Sequence, residues 1–224
     1  REITVMIAER KIDNTDMKDP EMKKDTIDKK TCTKIKNWAK DKWRPSAVDT
    51  AGKLVDEERK TGRKPDYKPD ATMRISDIAW LTERWLLDLV WNHMLIANEN
   101  SGWKFDITKC ESLQLTRYKE GRFYNFHIDG QGDHLAFHNH KLNDHKKGLC
   151  RKLSMTIVLN SDYEGGQFQF SAYKNEKCTI VMPENLEKTG SIIVFPSFME
   201  HRVTPVTKGV RYSLVVWFIG PPFK

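Results

Sequence analysis

The run YNFHID, from Tyr124 to Asp129, sets a histidine and an aspartate two residues apart among apolar and aromatic neighbours. In a strand, residues i and i+2 point to the same face, so His127 and Asp129 project together. Such a pair is either a polar couple on the wet side of a strand or two ligands of a metal. A third ligand on a distant strand would decide for the metal. His201, in SFMEHRVTPVT, is the candidate, because it follows the apolar run SIIVF and a Pro-Ser turn, at a strand start. His134, His138, His140 and His145 compete, but all four lie in one long loop, GQGDHLAFHNHKLNDHKKG, where holding a metal costs ordering entropy.

A second pair lies downstream. Arg211 and Ser213 share a face in VRYSLVVWF by the same two-residue rule. An arginine in an apolar strand is costly to bury without a partner, and no acid neighbours it in sequence. A guanidinium grips a carboxylate with two parallel hydrogen bonds, so a small dicarboxylate fits, with Ser213 adding a hydroxyl. The alternatives are a structural acid such as Glu200, or an arginine that faces outward. Two histidines and a carboxylate with open positions opposite suit iron(II), and a carboxylate anchor beside them suits an oxo-acid co-substrate.

The elements that must position these residues are mostly strands. From Cys110 onward LQLTRY, RFYNFHI, LSMTIVL, QFQF, CTIVM, SIIVF and VRYSLVVWFI are separated by Gly, Pro, Asn and Asp signals, a texture of sandwiches, barrels and jelly rolls. The loop over 130–147 is long for a strand connection, as functional loops and lids are. Upstream, Ser76 is placed as an N-cap and Asp77 in the first turn of a helix carrying Ile78, Leu81, Trp85 and Leu89 and fading at NENSG. Residues 1–70 are lysine-rich. ITVMI reads as a short strand, Pro20 to Trp43 as a helix anchored by Ile27, Ile35 and Trp38, and TGRKPDYKPD as a loop. The organisation expected is an N-terminal region over 1–70, supporting the core or shaping a substrate entrance, and a catalytic domain over 71–224.

The 224 residues can bury a sizeable core without disulfides. Charged residues make up 31% and the net charge is +7, but lysines alternate with acids, as in KDPEMKKDTIDKK. This reads as a solvated surface rather than the basic block of a nucleic-acid binder. Cys32, Cys110, Cys150 and Cys178 form no C-x-x-C pair, which argues against a zinc ribbon or a disulfide framework and for a reducing, cytoplasmic setting. No stretch approaches the length of a membrane-spanning helix, so no membrane partner is expected.

From about Met73 to Phe218 the chain resembles the Fe(II)/2-oxoglutarate-dependent oxygenases, of the prolyl 4-hydroxylase type. The resemblance is carried by LQLTRYKEGRFYNFHID, RKLSMTIVLN, YEGGQFQF and HRVTPVTKGVRYSLVVWF, in that order. It implies an α+β fold: a double-stranded β-helix (jelly-roll) core with supporting N-terminal helices. It implies iron ligation by His127, Asp129 and His201, and an Arg211 that meets the distal carboxylate of 2-oxoglutarate. Tyr118 is implied as a hydrogen-bond donor to the co-substrate. Tyr124, Arg151 and Trp217 match positions lining the peptide groove, with core packing the alternative for Tyr124 and Trp217. Glu164-Gly165-Gly166 matches a backbone turn of the family, and Phe168 stands where some relatives carry a threonine facing the co-substrate. The implied cofactors are Fe(II), 2-oxoglutarate, O2 and ascorbate, and the implied reaction hydroxylates a C–H bond as 2-oxoglutarate becomes succinate. The implied substrate is a peptide or protein, proline-containing and disordered. The same chemistry on a free amino acid, a small metabolite or another residue type is the alternative. A non-catalytic module would show a damaged triad or no carboxylate anchor, and a zinc hydrolase would leave Arg211 without a role.

Overall fold

A computed structural model of the chain describes residues 27–46, 70–130, 146–174, 177–183 and 186–223. The ITVMI strand, the helix reading before residue 27, the loop reading over 61–69 and the four histidines of the long loop lie outside the described residues.

The main sheet is antiparallel. Its strands are β1 (Arg44–Pro45), β2 (Asp77–Leu81), β4 (Leu113–Tyr118), β13 (Arg211–Gly220), β6 (Cys150–Val158) and β10 (Ile192–Pro196), in that spatial order; β3 (Lys109–Cys110) pairs the far end of β13. A smaller antiparallel sheet runs β5 (Tyr124–His127), β11 (His201–Val203), β8 (Phe168–Lys174), β9 (Lys177–Val181). A two-stranded ribbon joins β7 (Tyr163–Gly165) to β12 (Val206–Gly209).

The main sheet is buried on both faces, and alternate residues divide between them. Leu115, Leu214 and Ile157 sit side by side across three strands. With Leu153, Met155, Val216 and Phe218 they pack against two helices: Cys32 and Ile35 of α1 (Lys29–Trp38), and Leu86, Val90, Met94 and Ala97 of α2 (Arg84–Asn100). Full burial of each such side chain contributes about 1.5–3 kcal/mol. The described part of the N-terminal region thus shares a core with the strands of the site. The opposite face carries the row Thr116, Ser213, Val158 and the row Gln114, Val215, Thr156. This polar face looks toward the cavity described below.

The helices depart from expectation. α1 spans Lys29 to Trp38, capped by Asp28, whose carboxylate accepts from the Thr31 N–H at 3.0 Å. Trp38 is 41% exposed and anchors nothing; Ile27, Cys32 and Ile35 do. Residues 77–81, read as the first turn of a helix, form β2, which pairs with β4 along its length. Ser76 caps nothing: its hydroxyl bonds Ser46 and Arg74, and Asp77 pairs with Arg117 and Arg122. α2 begins at Arg84, and its buried stripe is Leu86, Val90, Met94 and Ala97 rather than Trp85 and Leu89. The helical period is right and its phase is off by one residue, because tryptophan's large apolar surface mimics a core position that Trp85, 36% exposed, does not occupy.

Candidate metal and co-substrate site

His201 and His127 meet because they are cross-strand partners in β11 and β5. Their rings lie 4.2 Å apart between centroids. Asp129 joins them differently from expectation. β5 ends at His127, and Asp129 lies in the bend that follows. Its N–H donates to the Ser197 carbonyl at 2.9 Å, and this bond turns the side chain back toward the histidines. The Asp129 carboxylate then lies 3.7 Å from His127 Nε2 and 3.6 Å from His201 Nε2. One ligand atom from each residue falls within 4.8 Å of the others.

The histidine tautomers follow from their partners. Nδ1 of His127 is 2.8 Å from the Asn125 carbonyl, and Nδ1 of His201 is 2.8 Å from the Met199 carbonyl. A carbonyl only accepts, so each Nδ1 carries a hydrogen and each Nε2 is the nitrogen turned toward Asp129 and left to ligate a metal. Burial, with His201 alongside, pushes the His127 pKa down to about 3, so the ring is neutral at ordinary pH. Burial alone would raise the Asp129 pKa. His201, Arg151 and the Ser154 hydroxyl outweigh it and hold the carboxyl below its usual range. Two imidazole nitrogens and one carboxylate are a donor set that fits iron(II).

Tyr124 stacks on His127 at 3.5 Å between centroids, and the guanidinium of Arg74 lies 4.6 Å from the other partner of that stack, the Tyr124 ring. Burial raises the Tyr124 hydroxyl to about 12, so it stays protonated. Phe168, Phe170 and Phe195 surround the His201 ring. Phe168, whose place in the pocket the sequence left open, is part of this apolar wall.

The histidines, Asp129, Tyr118, Tyr124, Arg211, Ser213 and Trp217 line one cavity of about 370 Å³, its open mouth included. Arg211 is 1% exposed. Its Nη1 donates to Ser213 Oγ at 3.0 Å, its Nε has no hydrogen-bond partner, and among the described residues it has no acidic partner. Tyr118 lies opposite it across the strand pair, with its ring 5.7 Å from the guanidinium carbon. Gly165 and Gly166 both adopt positive φ, where glycine is at home. A Cβ on Gly166 would stand 3.0 Å from Arg211 Cδ, so the glycine leaves the arginine its place. A buried, uncompensated guanidinium is strongly unfavourable by itself; a carboxylate in the cavity would resolve it.

Arg151 is placed otherwise than on the cavity wall. Its Nε and Nη2 donate to the two Glu111 oxygens at 2.7 and 3.2 Å, and its guanidinium lies 4.0 Å from the Trp217 ring centroid. Lys146 also bonds Glu111. Trp217 is buried with its Nε1 unpartnered. Sequence reasoning missed Glu111, Arg74, Ser154 and Ser197. The alternation L-S-M-T in a doubly buried strand was a signal for Ser154, since a small hydroxyl there needs an internal partner. No spacing links Glu111 to Arg151, forty residues away.

Residues 113–219 match the sequence model of the 2OG-Fe(II) oxygenase superfamily. A PKHD-type hydroxylase of Synechococcus sp. is 31% identical over 108 residues, covering 47% of this chain and 42% of the relative. One from Xylella fastidiosa is 34% identical over 107 residues, covering 46% and 42%. The chain's matches therefore span about two fifths of those relatives' length. In fold it is similar to an oxidoreductase of the 2OG-Fe(II) oxygenase family from Burkholderia pseudomallei (TM-score 0.51, 14% identity, 84% of this chain and 78% of that one). It is also similar to a Trichoplax adhaerens prolyl hydroxylase solved with a hypoxia inducible factor peptide fragment (TM-score 0.50, 16% identity, 85% and 89%). These likenesses agree with the double-stranded β-helix that the family resemblance implies.

Proposed function

We propose that this chain, whose residues 113–219 match the sequence model of the 2OG-Fe(II) oxygenase superfamily, is a 2-oxoglutarate-dependent dioxygenase hydroxylating a substrate C–H bond, with peptidyl proline as the leading substrate. One observation carries the reading: a His/Asp/His donor set and a buried arginine with no acidic partner among the described residues line the same cavity. His127, Asp129 and His201 would hold the iron. Arg211 and Ser213 would take the distal carboxylate of 2-oxoglutarate, and the Tyr118 hydroxyl would hydrogen-bond the co-substrate. Iron(II) held there would supply the oxidation, with 2-oxoglutarate and O2 giving succinate, which takes one oxygen atom, and CO2, while the other oxygen atom would enter the substrate C–H bond.

The chain's own residues bind, orient and exclude water. The Nδ1–carbonyl bonds fix both imidazoles before any ligand arrives, and the Tyr124 stack holds His127 in plane. The three phenylalanines around His201 keep water off that side. Trp217 Nε1 has no acceptor among the described residues, and a peptide carbonyl would supply one. Arg151, held by Glu111, braces the Trp217 ring.

The test is incubation of the protein with Fe(II), ascorbate, 2-oxoglutarate and proline-containing peptides. The expected result is a mass gain of one oxygen on proline, matched one-to-one by succinate. Succinate formation with no peptide modified would reject the prolyl substrate while leaving the chemistry. A second reading, the same chemistry on a free amino acid or small metabolite, is favoured by Arg74. That residue lines the cavity, and its guanidinium bonds Ser76 and no acid among the described residues, so it would suit a substrate carrying its own carboxylate.

A further inference from the structure

We propose that Ser154 and Ser197 form a hydroxyl relay that pins one oxygen of Asp129 and leaves the other to the metal, making Ser154 a positioning residue for one-oxygen ligation. The inference rests on the metal reading of the triad. Ser154 Oγ lies 2.7 Å from Asp129 Oδ2 and 2.9 Å from Ser197 Oγ. Both serines are fully buried, so no bulk water competes for these bonds. A carboxylate only accepts, so the single Ser154 hydrogen points to Asp129. Ser154 must then accept from Ser197, and the direction of the relay follows: Ser197 to Ser154 to Asp129.

The same turn grips Asp129 a second time. The Ser197 carbonyl accepts the Asp129 N–H at 2.9 Å, and the Ser197 N–H donates to the Lys152 carbonyl at 3.0 Å. Backbone and carboxylate of Asp129 are thus tied to the end of β10 and the middle of β6, two strands of the main sheet. This matters because Asp129 lies outside any strand and is followed directly by the long loop. A carboxylate on a bend would otherwise rotate and offer either or both oxygens. Oδ2, 3.6 Å from His201 Nε2, already accepts the Ser154 hydrogen, whereas Oδ1, 3.7 Å from His127 Nε2, has no hydroxyl partner among the described residues and is the freer donor. One-oxygen ligation would matter to the chemistry, because a carboxylate binding through both oxygens would leave a bound metal fewer open positions for the oxo-acid and O2.

The test is titration of the metal-free protein with Co(II), read by visible absorption, for wild type, Ser154→Ala, Ser154→Thr, Ser197→Ala and Asp129→Ala, with each variant's melting temperature as a folding check. Removing an outer hydrogen bond to a ligand costs roughly tenfold or more in metal affinity, and that loss is expected for Ser154→Ala, with a shifted absorption band as the carboxylate presents both oxygens. Ser154→Thr, which keeps the hydroxyl, is expected to restore affinity and band, and Ser197→Ala to lose less than Ser154→Ala. Unchanged Co(II) affinity in a folded Ser154→Ala protein overturns the relay, as does a loss that Thr fails to rescue. Should Ser154→Ala not fold, an unchanged affinity in Ser197→Ala overturns it. In either case, loss of binding in Asp129→Ala leaves the metal reading intact, whereas a wild type that binds no Co(II) overturns both.

Discussion

Ser213 and Leu214 are chain neighbours on β13 with opposite surroundings. Leu214 lies between Leu115 and Ile157, in the dry layer beneath α1 and α2. Ser213 lies between Thr116 and Val158, with its hydroxyl on the buried guanidinium of Arg211. Both side chains are buried, so burial does not distinguish them. What does is whether the polar groups on each face are satisfied within the protein. The helix-covered face needs nothing more. Among the described residues the cavity face keeps a guanidinium without an acid, an indole without an acceptor and two imidazole nitrogens turned toward one carboxylate. Unfinished valences on one side of an otherwise complete sheet are what a binding site looks like before its ligands arrive.

Substitutions on the two faces should therefore separate activity from stability. The largest effect expected is for Asp129→Ala: turnover of 2-oxoglutarate falls to background, because the donor set loses its only charged member. Next, Arg211→Met raises the 2-oxoglutarate concentration needed for half-maximal turnover by roughly two orders of magnitude, since a buried charge loses its partner. It does so without lowering the melting temperature, because no protein acid is orphaned. On the other face, Leu214→Ala costs about 2–5 kcal/mol of stability in denaturant titration and leaves turnover per folded molecule intact. Comparable loss of turnover from Leu214→Ala would erase the distinction between the faces.

The smallest effect concerns pH and Glu111. Burial opposes its ionisation, but Arg151 and Lys146 prevail and hold its pKa at about 2, against 4.5 for a free glutamate. The folded value is depressed, so the ionised carboxylate stabilises the fold. That contribution is complete above about pH 4.5 and is lost as pH falls toward 2. Melting temperatures measured between pH 5 and 2.5 should fall more steeply for wild type than for Glu111→Gln.

Much of this division was legible in the sequence. The strands LQLTRY and VRYSLVVWFI fall where expected because two-residue alternation in a half-polar strand is a strong signal. Arg211 could be singled out because an arginine in such a run needs a reason. The distance from His127 to His201 in sequence hid no ambiguity once both were assigned to strands, but their direct opposition across β5 and β11 is a matter of register, which only the folded sheet supplies. Asp129 was placed on the right side for the wrong reason: a bend and a Ser197 bond aim it, not strand alternation. Ser76–Leu81 was misread as helical because Ile78 and Leu81 also fit a helical spacing, and only pairing with β4 decides for a strand. Arg151 was legible as important but not as Glu111's partner, since ion pairs between distant segments leave no local pattern.

The metal triad at one point of the cavity and the Arg211 guanidinium at another would hold the two ends of one oxo-diacid. Calorimetric titration of 2-oxoglutarate into the protein under nitrogen, with and without Mn(II), tests it most directly. Binding is predicted to be tight only with the metal present and to weaken sharply in Arg211→Met. Equal affinity in the metal-free protein, or in the Arg211→Met variant, would contradict it.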